Sequence, residues 1–154
     1  MDNSVEDNKN SFEKWDDIEN IKENILRGIY AHGFEEPSPI QKKAILPMVN
    51  KKDIVAQAQS GTGKTGTFAI STLQLVDFDE KKTQALILAP TRELASQIEG
   101  VIKSLGDFIS NLTVQKLVGG TSIDEDIDNL KNNTPHIIVG CPGRTHDMMK
   151  RNHI

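Results

Sequence analysis

Apolar positions at Trp15, Ile18, Ile21, Ile25 and Ile29 recur every three to four residues and predict a helix with one buried face. Gly33 stands where such a helix would stop. Ser38-Pro39 offers an N-cap and a first-turn proline for a second helix carrying Ile40, Ala44 and Ile45, which Pro47 should end or bend. From there the chain alternates. Short apolar runs predict strands at Asp53–Ala58, Gln84–Ala89, Thr113–Val118 and His136–Gly140. Between and after them, Lys64–Val76, Thr91–Leu105, Ile123–Leu130 and the stretch beyond Arg144 read as helices. Strands that alternate with helices imply an α/β domain with a parallel sheet covered on both faces. Residues 1–14 show no periodicity and predict a disordered acidic tail, which leaves 15–154 as one domain.

The 36% hydrophobic and 26% charged fractions suit a water-soluble domain, and no apolar run approaches the ~20 residues that span a bilayer. A single cysteine, Cys141, excludes an internal disulfide framework, and the cytoplasm is the expected location. The net charge of −4 argues at first against a nucleic-acid partner. It is concentrated, however: residues 1–20 hold seven acids and two lysines, and the remainder is close to neutral with 16 basic and 15 acidic groups. Contact with phosphates would therefore depend on a few placed groups rather than a broad basic face. The four histidines, at 32, 136, 146 and 153, have no metal-ligand spacing and read as structural or exposed.

Ala58-Gln59-Ser60-Gly61-Thr62-Gly63-Lys64-Thr65 is the most informative run. It has the form of a phosphate-binding loop, with alanine where the general pattern has glycine. Small residues let successive backbone N–H groups curve around anionic oxygens, and the following helix directs its positive end toward them. Lys64 can reach the β- and γ-phosphates of a nucleotide, and the Thr65 hydroxyl suits Mg²⁺. Those two are the candidate catalytic residues, and Thr65 is the candidate metal ligand. A plain glycine-rich turn is the competing reading, but the loop's position between a strand and a helix favours phosphate binding.

Four further runs, in this order and spacing, make the chain resemble a DEAD-box ATP-dependent RNA helicase of the translation-initiation type. They are Gly33–Gln41 (GFEEPSPIQ), Pro90–Ala95 (PTRELA), Gly119-Gly120 and Pro142-Gly143-Arg144. The resemblance covers residues 12–154 and implies the N-terminal RecA-like lobe of such an enzyme. It implies ATP and Mg²⁺ as cofactors, RNA as a partner through its sugar-phosphate backbone, and translation-initiation proteins as further partners. The first run resembles the Q motif, so Gln41 is implied to select adenine with Phe34 beside it. An upstream aromatic, Trp15 or else Phe12, is implied to pack on the base. Pro90, Thr91, Arg92, Gly119, Gly120, Pro142, Gly143 and Arg144 are implied to contact RNA.

The sequence departs from the family at three positions: Cys141 stands where threonine is expected, and Thr145 and His146 replace apolar residues. The Asp-Glu-Ala-Asp motif that names the family is absent. The resemblance places it on the next strand, so the sheet is expected to be incomplete at its C-terminal end, with an open apolar edge prone to self-association. ATP hydrolysis and unwinding are expected to need that motif and a second lobe. Two other readings compete. A catalytically inactive nucleotide- or RNA-binding module fits the same motifs, whereas a P-loop ATPase or kinase unrelated to RNA leaves the Q motif and Pro90–Ala95 unexplained.

Overall fold

The computed structural model describes residues 11–154, so most of the expected tail lies outside the described residues. The chain divides into two compact units, one reaching Leu75 and including Ser104–Phe108, the other formed by Val76–Lys103 and Ile109–Ile154.

The first unit is helical. A 3-10 turn at Trp15–Asp17 leads to α1 (Glu23–Ala31), α2 (Pro39–Val49) and α3 (Lys64–Leu75). The apolar face of α1 buries Ile25 and Ile29 completely. Between them lies Gly28, and a Cβ there would stand 1.8 Å from the carbonyl oxygen of Leu105. Glycine is therefore what allows these two backbones to approach so closely. α2 begins as expected, with Ser38 at the N-cap and Pro39 in the first turn. It runs through Pro47 to Val49, two residues beyond the expected stop. Proline so near the C-terminus costs one helical hydrogen bond without breaking the last turn. Gln74 on α3 ties down the entry to α1, accepting from the Lys22 N–H at 3.0 Å and donating to the Asn20 carbonyl at 2.8 Å.

Three expectations change here. The Trp15–Ile29 periodicity gives not one helix but a 3-10 turn at Trp15–Asp17 and an α-helix only from Glu23. Phe12 is buried, and Glu13 forms an ion pair with Lys42, so packing begins before Trp15. The strand expected at Asp53–Ala58 does not form. A strand needs a hydrogen-bonded neighbour, and this segment has none among the described residues; Val55 is fully exposed.

The second unit is the sheet. Strands β1 (Ala85–Leu88), β2 (Val114–Leu117) and β3 (Ile137–Gly140) are parallel in the order β1-β3-β2. β3 lies in the centre with all four residues buried, as expected for an apolar strand covered on both faces. Alternation sends Ile138 to one side, where it packs with Leu117, Leu130 of α5 (Ile123–Asn132) and Met148 of α6 (Pro142–Lys150). On the other side, Lys116 of β2 reaches α4 (Arg92–Leu105), pairing with Glu99 at 3.1 Å and contacting Ser96 at 3.1 Å. The expected α/β class is thus present, with helices on both faces of a parallel sheet.

Gly140 ends β3 where a Cβ would collide with Thr145 Oγ1 at 2.4 Å, which lets the first turn of α6 sit directly over the strand. His136 is buried at the start of β3, its Nδ1 2.7 Å from Thr113 Oγ1, and Phe78 packs edge-on against it. It joins the entries of β2 and β3. β1 and β2 each have β3 as their one ladder neighbour among the described residues, and on β1 Leu86 and Leu88 are exposed.

Candidate functional site

The phosphate loop and the Q motif lie in the first unit, and the structure joins them through Gln41. That side chain is buried, its Oε1 accepting from the Ser38 N–H at 2.7 Å. Its Nε2 donates to the Gly63 carbonyl at 3.3 Å. The loop takes the conformation that its glycines permit, with φ of +78° at Gly61 and +93° at Gly63. The fit around Gln41 depends on missing side chains. A Cβ at Gly63 would lie 2.7 Å from Gln41 Nε2, and one at Gly66 would lie 2.8 Å from Nε2 and 2.9 Å from the Phe34 ring. The role of Gly66 is invisible in the motif's spacing, because it depends on Gln41 and Phe34, 25 and 32 residues upstream.

Within the loop, Thr62 Oγ1 donates to the Gln59 carbonyl at 2.6 Å, and Thr67 Oγ1 donates to the Gly63 carbonyl at 2.9 Å. The Lys64 ammonium donates to the Ala58 carbonyl, so the lysine folds back over its own loop. Gln59, Ser60, Gly61 and Lys64 are exposed. Thr65 is half-buried in the first turn of α3, and no hydrogen bond occupies its hydroxyl among the described residues. Positive-φ glycines, a helix start and an exposed lysine are the parts that an anion cradle requires.

The aromatic expected to stack on a base lies in an aromatic cluster. Trp15 is completely buried, with Phe34 stacked at 6.3 Å and Phe12 at 5.8 Å between ring centroids. Phe12 is buried as well, so the two aromatics expected beside a base pack with Phe34 in one cluster of the unit. Phe34 remains half-buried, with His32 edge-on at 4.6 Å.

In the second unit, the other motifs follow the C-terminal ends of three parallel strands. Pro90-Thr91-Arg92 follows β1, Gly119-Gly120 follows β2, and Pro142-Gly143-Arg144 follows β3. Parallel strands bring all three turns to one end of the sheet, the usual place for ligands in such folds. Thr91 Oγ1 accepts from the Leu94 N–H at 3.2 Å and so caps α4. Arg92 is exposed, and its guanidinium lies where a Cβ on Gly120 would be 2.7 Å away. Gly120 has φ of +85°, and Gly119 faces open space. Pro142 and Gly143 are exposed, whereas Cys141 is half-buried at the N-cap of α6 without a capping hydrogen bond.

Arg144 differs from the rest. Its side chain is 8% exposed and ion-paired with Asp126, whose side chain is 10% exposed. It also donates to Thr121 Oγ1 at 3.2 Å and to the Thr121 carbonyl at 2.9 Å. Asp126 was not singled out by its spacing, because in sequence it is one of several acids on a polar helix.

A nucleotide-type phosphate loop opening α3 in one unit, and a parallel α/β sheet with polar turns at its strand ends in the other, are the features of a P-loop nucleoside-triphosphatase class of domain. The DEAD/DEAH box helicase family model matches residues 38–154, and the chain belongs to that family. It is 52% identical over 150 residues to the ATP-dependent RNA helicase eIF4A of Coccidioides immitis, covering 97% of this chain and 37% of that protein. A DEAD box protein from the hyperthermophile Methanococcus jannaschii superposes with a TM-score of 0.86 at 39% identity, covering 94% of this chain and 39% of the other. Saccharomyces cerevisiae Dbp5, bound to RNA and ADP BeF3, superposes with a TM-score of 0.75 at 38% identity, covering 88% and 34% of the two chains. This chain thus spans well under half the length of each of these proteins.

Proposed function

We propose that these residues form the ATP- and RNA-backbone-binding portion of an ATP-dependent RNA helicase. The observation that carries the nucleotide half is the hydrogen bond from Gln41 to Gly63, which fixes the adenine-reading motif against the phosphate loop. A glutamine amide has two N–H donors and two acceptor lone pairs. One donor is used on Gly63 and one lone pair on Ser38. The remaining donor and acceptor match N7 and the N6 amino group of adenine, whereas guanine presents an acceptor in place of that amino group. Lys64 exchanges the Ala58 carbonyl for a phosphate oxygen, trading a neutral acceptor for a charged one.

Mg²⁺ keeps several waters and takes few protein ligands beside nucleotide phosphates. Thr65, with a free hydroxyl in the first turn after the loop, fits one of those positions. Bound there, the metal supplies charge neutralisation at the β- and γ-phosphates. The 154 residues contain no Asp-Glu-Ala-Asp run, so the carboxylate that orients the attacking water is not among them. What these residues contribute is binding and orientation. Turnover belongs to an enzyme that also supplies that carboxylate, and the resemblance to eIF4A extends the reading to cytoplasmic translation-initiation partners.

For RNA, the supporting observation is the meeting of an exposed cation, Arg92, with the Gly119-Gly120 turn at one end of the sheet. Amides and a guanidinium there suit phosphate oxygens and carry no base preference. Crosslinking to a labelled oligoribonucleotide tests this. Arg92→Ala is expected to weaken RNA binding and lower the dependence of log K on log salt by roughly one phosphate's worth, with ATP affinity retained. RNA affinity and salt slope unchanged by Arg92→Ala would refute the assignment.

A further inference from the structure

From the geometry around Thr121 we infer that Arg144 and Asp126 do not touch RNA but act as a pair that positions the Gly119-Gly120 turn; the inference rests on the RNA-binding reading and deepens it. The turn is the part of the candidate RNA site with the least conformational restraint of its own. Both of its residues are glycine, Gly120 holds φ of +85°, and Gly119 borders open space. Glycine loses more backbone freedom on ordering than any other residue. A site that presents the amides of such a turn to phosphate therefore needs something to hold it.

The next residue, Thr121, is where the hold is applied. Its carbonyl accepts from Arg144 Nη2 at 2.9 Å, and its hydroxyl accepts from Arg144 Nη1 at 3.2 Å. The same hydroxyl donates back to the Val118 carbonyl at 2.9 Å, closing a short loop across both glycines. Arg144 is in turn fixed by the carboxylate of Asp126, which also lies 3.4 Å from the Thr121 hydroxyl. Asp126 sits in the first turn of α5, where the helix dipole favours a negative charge. The planar fork of arginine serves both partners at once, which an ammonium could not do in the same geometry.

The burial of the pair separates its role from that of Arg92. A guanidinium 8% exposed and committed to a carboxylate and a carbonyl has little left to offer a phosphate, whereas Arg92 is exposed. Withdrawing Arg144 toward RNA would leave Asp126 as an unpaired buried charge. Arg92 is thus the group that touches, and Arg144 with Asp126 holds the turn in place.

The two roles predict opposite signs for Asp126→Asn. Under positioning, neutralising Asp126 loosens the turn and weakens binding of a fluorescent oligouridylate about tenfold, the order expected when binding must itself order one backbone residue. The salt slope stays unchanged, because no cation leaves the RNA. If Arg144 contacts phosphate directly, the same change removes a competing carboxylate and RNA affinity rises. Arg144→Lys adds a second reading: positioning predicts a loss like that of Asp126→Asn, and direct contact predicts near-normal affinity. Amide hydrogen exchange at Gly119–Thr121, measured without RNA, is expected to accelerate in both variants while exchange in β3 is unchanged. Unaltered exchange in either variant, or RNA affinity kept or raised, overturns the inference. Failure of the unsubstituted protein to bind RNA would instead strike the RNA-binding reading, with the exchange data still deciding whether the pair holds the turn.

Discussion

Gly28→Ala sets two well-known effects against each other. Alanine in a helix interior is favoured over glycine by about 1 kcal/mol, so helix propensity alone predicts a more stable protein. The structure predicts the opposite. The new methyl would lie 1.8 Å from the Leu105 carbonyl oxygen, 2.8 Å from its carbon and 3.3 Å from its Cα, all rigid backbone atoms. Relief requires α1 to move away by more than 1 Å. Ile25 and Ile29, both completely buried on the same helix, would lose part of their packing as it moves. Overpacking of this kind costs about 1–3 kcal/mol. Partial loss of the roughly 1.5–3 kcal/mol from burying each isoleucine adds to it. Less the propensity gain, the net loss is about 2 kcal/mol, a fall in Tm of roughly 4–8 °C for a chain of this size. Gly100→Ala is the control, because a Cβ there meets nothing within 4 Å and α4 is exposed at that point. Thermal unfolding of the two variants in parallel is expected to move in opposite directions. A Gly28→Ala variant as stable as Gly100→Ala would refute the close approach of α1 to Leu105.

Two other predictions follow from the second unit. Burial pushes the Glu99 carboxyl up, but hydrogen bonds from Lys103 and Lys116, with their charges, outweigh it and hold the group below its ordinary value. A carboxylate lowered on folding stabilises above its unfolded pKa and loses that contribution as pH falls through the folded one. Denaturant titrations should therefore show Glu99→Gln less stable than the unsubstituted protein near neutrality, with the gap closing as pH drops below the carboxylate range; a constant gap would contradict this. The edge of β1 that has no ladder partner among the described residues predicts concentration-dependent association in sedimentation experiments, reduced by Leu88→Lys, since Leu86 and Leu88 are exposed on that strand. A monomer at all concentrations would count against it.

What was legible in the sequence depended on how local the cause was. Three of four strands and the helices from Glu23 onward follow from short apolar periods and turn residues, and the glycine-rich turn before α3 is visible in its own eight residues. Asp53–Ala58 carries the same apolar signal as β1, but a strand is a relation between segments and this one has no partner among the described residues. Trp15 could equally have been exposed or buried. Its enclosure by Phe12 and Phe34 depends on how α1 turns the chain back, which no spacing reveals. Arg144 was found by its motif, yet its burial comes from Asp126, 18 residues away on another helix. Gly66 likewise has meaning only through Gln41 and Phe34.

The central claim is that Gln41 and the phosphate loop together form an adenine-nucleotide site, and equilibrium competition of ATP and GTP against a fluorescent adenine nucleotide tests it most directly. Binding that favours ATP, falls sharply in Lys64→Ala and loses its preference over GTP in Gln41→Ala is the predicted result. Nucleotide binding that ignores Lys64, or an ATP preference that survives Gln41→Ala, would contradict it.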